Sequence, residues 1–585
     1  MRKRTKSWIA AGMATVMFSA LLGGCGNQGS ENTDGNSQSE NSQSDDSQYP
    51  DYLNLDSERP IVKEGEEITL KVVVMRESIA TSDINENWFV KFLDEKMNVN
   101  LDIEELTYDT FDERRNLMLV SDDLPDILIN MRLTASEMVT YGSDGGQLLP
   151  LSDYINEELT PNIVAMLEGQ DAAITENTAP DGKMYTLPNF QASYPGVGST
   201  LGYQRVFIDT KYMEAAGIEE VPTTLDGFIE MLRAFKALDP AVMGVDEIWP
   251  MVSTWGNDKE LLQNAFGWIT TNNDLTAPAW DVETNDVVIP CAQEKYADYV
   301  RLLNTLYTEG LIHPDFFTIG TEAARALYAE GKVPVLCDAA AYISLPDRES
   351  DFVSAIPLSS QWTENGITKA TADYTLGTVN VSASTEYPEL CMRLLDYLYS
   401  PEGSVYSMYG APEGSEDCMG LIEGFALGDK GQIVYKDVEN GKYESNFDYI
   451  VNAIELSQST PTDAREAILT QQEMLGVENP AYPELDLSIP DDQYRHKVYE
   501  AQQGHMVEGL PSMYLSTEQS ATYTDLKTVI QNYVDSETAK FVVGQRPIEE
   551  LDQFFEELKG MNIEEYETLC HDYYADYIEE RNSGK

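Results

Sequence analysis

The run ITLKVVVM at residues 68–75, followed by ENWFVKFLDEKM at 86–97 and VNLDIEEL at 99–106, decides the architecture of the chain. The first run is short and almost continuously apolar, the pattern of a strand buried on both faces. In the second, Phe89, Phe92 and Leu93 share one side of a helix, and the third returns to a strand. The alternation continues with a helix over Asp112–Val120 and, after Pro125, a strand over Asp126–Met131. Strands alternating with helices predict a parallel sheet covered on both faces.

Further along, Pro222-Thr223-Thr224-Leu225-Asp226 signals a helix start, with Thr223 as cap and Leu225, Phe228, Ile229 and Leu232 as the buried stripe. The chain closes with two more helical patterns, from Pro547 to a stop at Gly560 and from Ile563 to Tyr577. No internal repeat and no second linker follow residue 60, so the lobes are expected to be woven together by several crossings.

Upstream of the folded part the reading is different. Arg2, Lys3, Arg4 and Lys6 precede an apolar run from Trp8 to Leu22, then Leu22-Gly23-Gly24-Cys25 and a tract at 26–48 drawn only from Gly, Ser, Asn, Gln, Asp, Glu and Thr. The apolar run is shorter than the roughly 20 residues that span a bilayer. It resembles a bacterial lipoprotein export signal, which implies cleavage before Cys25, a diacylglycerol on its thiol and a location on the outer face of the cell membrane. The polar tract cannot bury surface and should act as a tether of about 25 Å.

The 585 residues are 42% apolar and 10% aromatic, ample for more than one core. Acidic residues number 101 against 38 basic, a net charge of −63, and loss of the four leader cations takes it to about −67. Nucleic acid and anionic lipid surfaces are poor partners for such a chain. Apart from Cys25 there are five cysteines, and Cys291, Cys337 and Cys391 sit in apolar strings. Reduced structural thiols are expected, without a disulfide framework.

Catalytic signatures are missing. His313, His496, His505 and His571 stand in no HExxH, and there is no phosphate loop, GxSxG or CxxC. Pro195-Gly196-Val197-Gly198 is taken as a flexible crossing. The clusters Asn272-Asn273-Asp274 and Asp281–Asp286 offer oxygen ligands for calcium but lack the spacing of a calcium loop, and they read as solvated acidic loops. No cofactor is expected. Trp249, Trp255, Trp268 and Trp280 fall close together, and indole faces stack on the C–H faces of sugar rings, although most tryptophans are core.

The order of motifs resembles the extracellular solute-binding proteins, type 1, in particular their long lipoprotein branch from Gram-positive sugar importers. The stretches that carry the resemblance are Asp123–Ile127 (DLPDI), Asp181–Pro188 (DGKMYTLP), Leu201–Asp226, Leu306–Phe316 and Pro388–Gly403, with Thr538–Gln545 and the final helices resembling the terminal segment. Residues 410–535 match no motif. The resemblance implies an α/β clamp of two lobes, each a mixed sheet with helices on both faces. Residues 60–190 would form the first lobe, 191–372 the second, 373–450 a return to the first, and 451–585 mixed segments and terminal helices.

It also implies a non-enzymatic monomer that binds a solute between the lobes, expected to be a neutral oligosaccharide, and delivers it to ABC permease subunits. An anchored glycan-degrading enzyme and a sensor subunit for a membrane kinase are the alternatives. Ligand contacts are expected from Arg132 after the third strand, Tyr194 on the first crossing, Trp255, Tyr342 after the strand Val333–Cys337, and Asp373 and Tyr374 on the return crossing. Trp88 and Glu77, after the first strand, complete the candidates.

Overall fold

The computed structural model describes residues 48–76, 80–106, 111–190, 204–254, 257–371, 374–428, 431–454, 456, 464–481 and 487–583. Glu77, Tyr194, Trp255 and Asp373, the leader with Cys25, and the glycine-rich crossing at 195–198 lie outside the described residues.

The first lobe begins with β1 (Thr69–Met75), α1 (Trp88–Met97), β2 (Asn100–Leu106), α2 (Phe111–Ser121) and β3 (Ile127–Ile129). α1 starts two residues later than its pattern suggests because Asn87 is extended, and its side chain accepts from the amides of Phe89 and Val90. Asn98, at φ 57°, ends the helix in the left-handed region that asparagine tolerates. β1 pairs in parallel with β2 and β3. The chain then reaches β4 (Asn189–Phe190) and leaves the lobe.

The second lobe follows with β5 (Phe207–Asp209), α3 (Leu225–Lys236), β6 (Met251–Ser253), α4 (Asn257–Asn264), the meander β7 (Trp268–Ile269), β8 (Ala279–Asp281) and β9 (Asp286–Val288), and α5 (Tyr296–Thr308). After α6 (Thr321–Ala329) come β10 (Val335–Cys337), α7 (Ala341–Ser344), β11 (Phe352–Ser354) and β12 (Thr368–Lys369). Its sheet runs β11-β5-β10-β6, with β6 and β10 parallel and β5 antiparallel to both of its neighbours. Thr224, not Thr223, caps α3 by accepting from Gly227 at 3.1 Å. The Thr223 carbonyl instead receives the amide and hydroxyl of Ser359, which ties the helix start to the strand region behind it.

The return passes through β13 (Tyr374–Thr375), which pairs antiparallel with β4, and β14 (Val379–Val381), which completes the first sheet beside β3. Both lobes are therefore mixed sheets. The segment without recognisable motifs divides between them. The hairpin β15 (Phe425–Leu427) and β16 (Ile433–Tyr435) packs in the first lobe, whereas α8 (Pro490–Gln502) packs on the second through Tyr494 and Val498. β17 (Met506–Val507) then pairs in parallel with β12.

A strap at 508–516 touches the first lobe before α9 (Thr517–Val542) returns to the second, where α10 (Leu551–Lys559), α11 (Ile563–Tyr573) and α12 (Ala575–Ser583) end the fold. Ile530, Val534, Phe541, Phe554, Tyr566 and Cys570 share one core with Val206, Trp268 and Val335. Two terminal helices were expected where the chain forms three. The second pattern breaks at Tyr574, which is buried and donates to the Pro511 carbonyl at 2.9 Å. Pro547 opens a single 3-10 turn before α10.

The five cysteines are buried and unpaired, as their apolar surroundings imply. Trp268 and Trp280 are core, while Trp249 is half-buried against His313 and Lys236. The acidic clusters are solvated at their tips, where Asn272 and residues 283–285 are exposed, but not at their roots. Asp281 is wholly buried and accepts from Lys295 at 2.9 Å and Gln293 at 3.0 Å, and Asp274 pairs with Lys527 at 2.9 Å. Lysines neutralise these carboxylates, and among the described residues no three metal-ligating acidic, His or Cys side chains gather. No helix among them is long and apolar enough to cross a membrane.

Candidate ligand cleft

Open α/β sheets place their sites beyond the carboxyl ends of parallel strands. In the first lobe that position is held by the turn after β3. Asn130 and Arg132 both adopt positive φ, at 59° and 51°, which costs energy for residues with a Cβ and marks a turn fixed by its surroundings. The Asn130 amide donates to the Thr378 carbonyl at 2.8 Å. Met131 is fully buried between them, and its carbonyl accepts from Arg115 Nε at 2.7 Å. Arg115 also pairs with Glu137, the reciprocal partner of Thr134 in a capping box. The turn is thus fastened from three sides and presents Arg132 at the surface. Asn130, which sequence reasoning passed over, is buried with its side-chain Nδ2 lacking an acceptor.

In the second lobe the corresponding ends are those of β6 and β10. Thr254 donates both its amide and its hydroxyl to the Cys337 carbonyl, at 2.8 and 3.0 Å, which locks the two strand ends together. Asp258 follows in α4, its amide donating to Ser253 Oγ at 3.2 Å. Burial pushes its carboxyl up, with the Ser253 hydroxyl acting in the opposite sense. After β10, α7 carries Tyr342, half-buried, whose ring meets Tyr494 of α8 edge-on at 6.0 Å and 73°. The Arg205 guanidinium lies 5.7 Å from the Tyr494 ring centre, where the first crossing enters the lobe.

The hinge is built from the three crossings. Tyr374 pairs with Phe190 and Thr375 with Asn189. Just beyond, the Gly377 amide donates to Asn177 Oδ1 at 2.7 Å, and a Cβ there would stand 1.8 Å from the Leu187 carbonyl oxygen, so only glycine fits. Where β12 meets α4 in the second lobe, Lys369 and Glu260 are both largely desolvated. Burial lowers the lysine and raises the glutamate, and each partly offsets the other through its charge.

The strap beyond β17 is bonded to both lobes. The Ser512 amide donates to Glu176 Oε1 at 3.0 Å, and Ser136 Oγ donates to the Met513 carbonyl at 2.8 Å. From the other side Tyr577, Tyr574 and Tyr573 donate to the carbonyls of Gly509, Pro511 and Ser512, and Arg581 to that of Glu508.

Of the candidates taken from sequence, Arg132 stands on the first lobe, Tyr342 on the second and Tyr374 in the hinge. Trp88 does not belong with them. It is 2% exposed, packs within the core against the tilted rings of Phe92 and Tyr406, and spends its Nε1–H on the Asp417 carbonyl at 2.9 Å. Two other cavities, of about 580 and 930 Å³, open on the second lobe, one beside Met213 and Ile218 and one beside Lys295 and Trp362. Neither includes a residue from the strand ends described above.

No family model matches the chain. It is nevertheless similar along most of its length to solute-binding proteins. The fructooligosaccharide ABC transporter substrate-binding protein FusA of Streptococcus pneumoniae serotype 4 (strain TIGR4) is 25% identical over 536 residues, covering 88% of this chain and 92% of the relative. Its solved structure with kestose superposes with a TM-score of 0.67 over 88% of this chain and all of that one, at 19% identity. An extracellular solute-binding protein from Bifidobacterium longum subsp. infantis gives a TM-score of 0.68 at 18% identity, covering 88% of this chain and 99% of that one. Lipoprotein LipO of Bacillus subtilis (strain 168) is 25% identical over 238 residues, 39% of this chain and 42% of the relative.

The chain thus has the two-lobed clamp fold of the solute-binding proteins. The fructooligosaccharide relative is a substrate-binding protein of an ABC transporter, and the motif order of this chain resembles the solute-binding proteins.

Proposed function

We propose that this protein is a lipid-anchored, extracellular solute-binding protein that captures a neutral oligosaccharide between its lobes and delivers it, intact, to the permease subunits of an ABC importer. The observation that carries the reading is the pairing of two mixed α/β lobes through three crossings with a match to a fructooligosaccharide-binding relative along 88% of the chain. The Leu22-Gly23-Gly24-Cys25 leader and the lipoprotein relative support anchoring at Cys25. Residues 60–190 and the return at 373–450 belong to one lobe and 191–372 to the other, with mixed segments after 450. The protein works as a monomer and performs no covalent chemistry.

Arg132, with the orphaned Asn130 amide beside it, faces the sugar hydroxyls from the first lobe. A guanidinium fork serves two oxygens at once. Tyr342 and Trp255 supply ring faces from the second lobe, Tyr194, Asp373 and Tyr374 contact the ligand from the crossings, and Glu77 from the end of β1. Closure follows because only the closed state brings both lobes to the ligand.

The test is calorimetric titration of the soluble chain with kestose, fructo-nystose, and neutral milk-type and N-glycan oligosaccharides, with mass analysis of the recovered sugar. Saturable binding of an unchanged sugar is the expected result. Cleaved product would overturn the non-enzymatic reading, and silence across the panel would overturn the oligosaccharide. Metabolic labelling with palmitate, lost in Cys25→Ala, tests the anchor.

A further inference from the structure

Asp338 follows β10 directly and is wholly buried. Burying a carboxylate is costly unless it is fully bonded, and a well-packed hydrophobe would serve stability at least as well. Its bonds join one loop to α6. Arg325 of α6 forks onto it, Nε at 2.9 Å and Nη2 at 3.1 Å. The Ala339 amide donates to Oδ1 at 2.7 Å, at the start of the loop, and Ser344 Oγ donates to Oδ2 at 3.4 Å, at its end. The segment 338–344 is therefore drawn around a single anion, and Tyr342 stands inside it.

The other shoulder of Tyr342 is equally prescribed. Tyr494 meets it edge-on, is itself 8% exposed, and is bracketed by Phe207 at 5.9 Å and by the Arg205 guanidinium. Lys497, one turn on, donates to the carbonyls of Glu349 and Phe352 at 2.6 and 2.7 Å and fixes α8 to the lobe. This buttress comes from a region in which no motif is readable.

We propose that Asp338 and Arg325 are a positioning pair for the ligand, with Tyr494 as the backing of Tyr342: the anion clamps the loop and the aromatic edge sets the ring angle, so that Tyr342 meets the sugar without first losing conformational freedom. The proposal rests on the reading of the cleft as an oligosaccharide site with Tyr342 in contact. Ordering a mobile side chain on binding reduces affinity, so loosening the clamp weakens binding without removing any contact.

The experiment is a double-mutant cycle on the mature full-length chain titrated with kestose, together with hydrogen exchange of the ligand-free proteins. Arg325→Met is the main perturbation because Arg325 is the partly exposed partner, and Arg325→Lys is the conservative one. If the pair acts through Tyr342, Arg325→Met weakens binding about tenfold in the parent background and less than about twofold in Tyr342→Ala, with Arg325→Lys recovering part of the loss. A purely structural role costs the same in both backgrounds, and equal losses overturn the proposal. Exchange at 338–344 should rise about tenfold in Arg325→Met while β1–β3 stay protected, and unchanged exchange there overturns it independently of any sugar. If the parent chain ignores kestose, the choice of sugar fails, whereas the exchange result still decides the positioning claim.

Discussion

Tyr296→Phe should separate the contribution of one hydroxyl from that of the ring that carries it. Tyr296 is 2% exposed, stacks on Phe554 at 5.8 Å and shares a 2.7 Å hydrogen bond with Thr538 Oγ1, 242 residues away. Burial pushes the phenol well above its ordinary value, so it stays protonated throughout the working range. Phenylalanine retains the stacking and removes only the bond, leaving the Thr538 hydroxyl in a dry core. A typical bond contributes about 0.5–1.5 kcal/mol and an orphaned buried partner costs about 1–3 kcal/mol, so a loss of about 2 kcal/mol is expected. Removing both partners should be far milder, and Tyr296→Phe/Thr538→Val should recover more than half of that loss. The assay is urea unfolding followed by tryptophan fluorescence, for which the buried Trp268 and Trp280 report on this lobe. A neutral single variant, or a double variant that sums the two single losses, would refute the reasoning that the C-terminal helices are bonded into the lobe core.

Trp88→Ala should cost about 3–5 kcal/mol of stability while sugar affinity measured on the folded fraction changes by less than about threefold, since the indole packs in the core. Gly377→Ala should destabilise by about 3 kcal/mol or more, seen as a lowered Tm, because its Cβ would collide with the Leu187 carbonyl and the Thr186 hydroxyl in the hinge. Burial acts to raise the Asp417 carboxyl, but its bonds to Arg59 and Tyr406 outweigh this and hold it below the ordinary value. That contribution is present above the unfolded value near pH 4 and is lost as pH falls through the folded one, so Asp417→Asn should flatten the decline of Tm between about pH 5 and pH 2. In the chain from residue 49, a thiol reagent should find none of the five cysteines rapidly in the native state and all five in denaturant.

The elements with one strong period are legible in the sequence alone. β1, α1, β2, α2 and β3 fall within a residue or two of their apolar patterns, because each buries a face set by local spacing alone. What escaped was decided by distant partners. Trp88 looks like a ring at a strand-end loop until Tyr406 and the Asp417 carbonyl, more than 300 residues away, close over it. Asn130 carries no pattern at all, and its importance comes from a left-handed backbone and an unmet donor, neither of which has a sequence period. Of its apolar side chains α8 buries only Tyr494 and Val498, and the strap is an irregular segment held largely by side chain to backbone bonds, so neither carries a clear hydrophobic period. The break at Tyr574 is of the same kind, since a helical pattern continues through a residue whose hydroxyl is committed to Pro511.

The bolting of the strap by the last helices has a consequence for the timing of assembly. The core of the second lobe gathers Val206 and Cys570 into one cluster, so its first strand must wait for nearly the whole chain before its partners exist. Closing contacts of such sequence separation is entropically costly and slow. A polypeptide emerging from its N-terminal end therefore stays without a finished second lobe until Tyr573, Tyr574 and Tyr577 arrive. On the proposed location outside the membrane, this delay would keep the chain threadable through a translocation channel and make completion of the clamp a late event of its export.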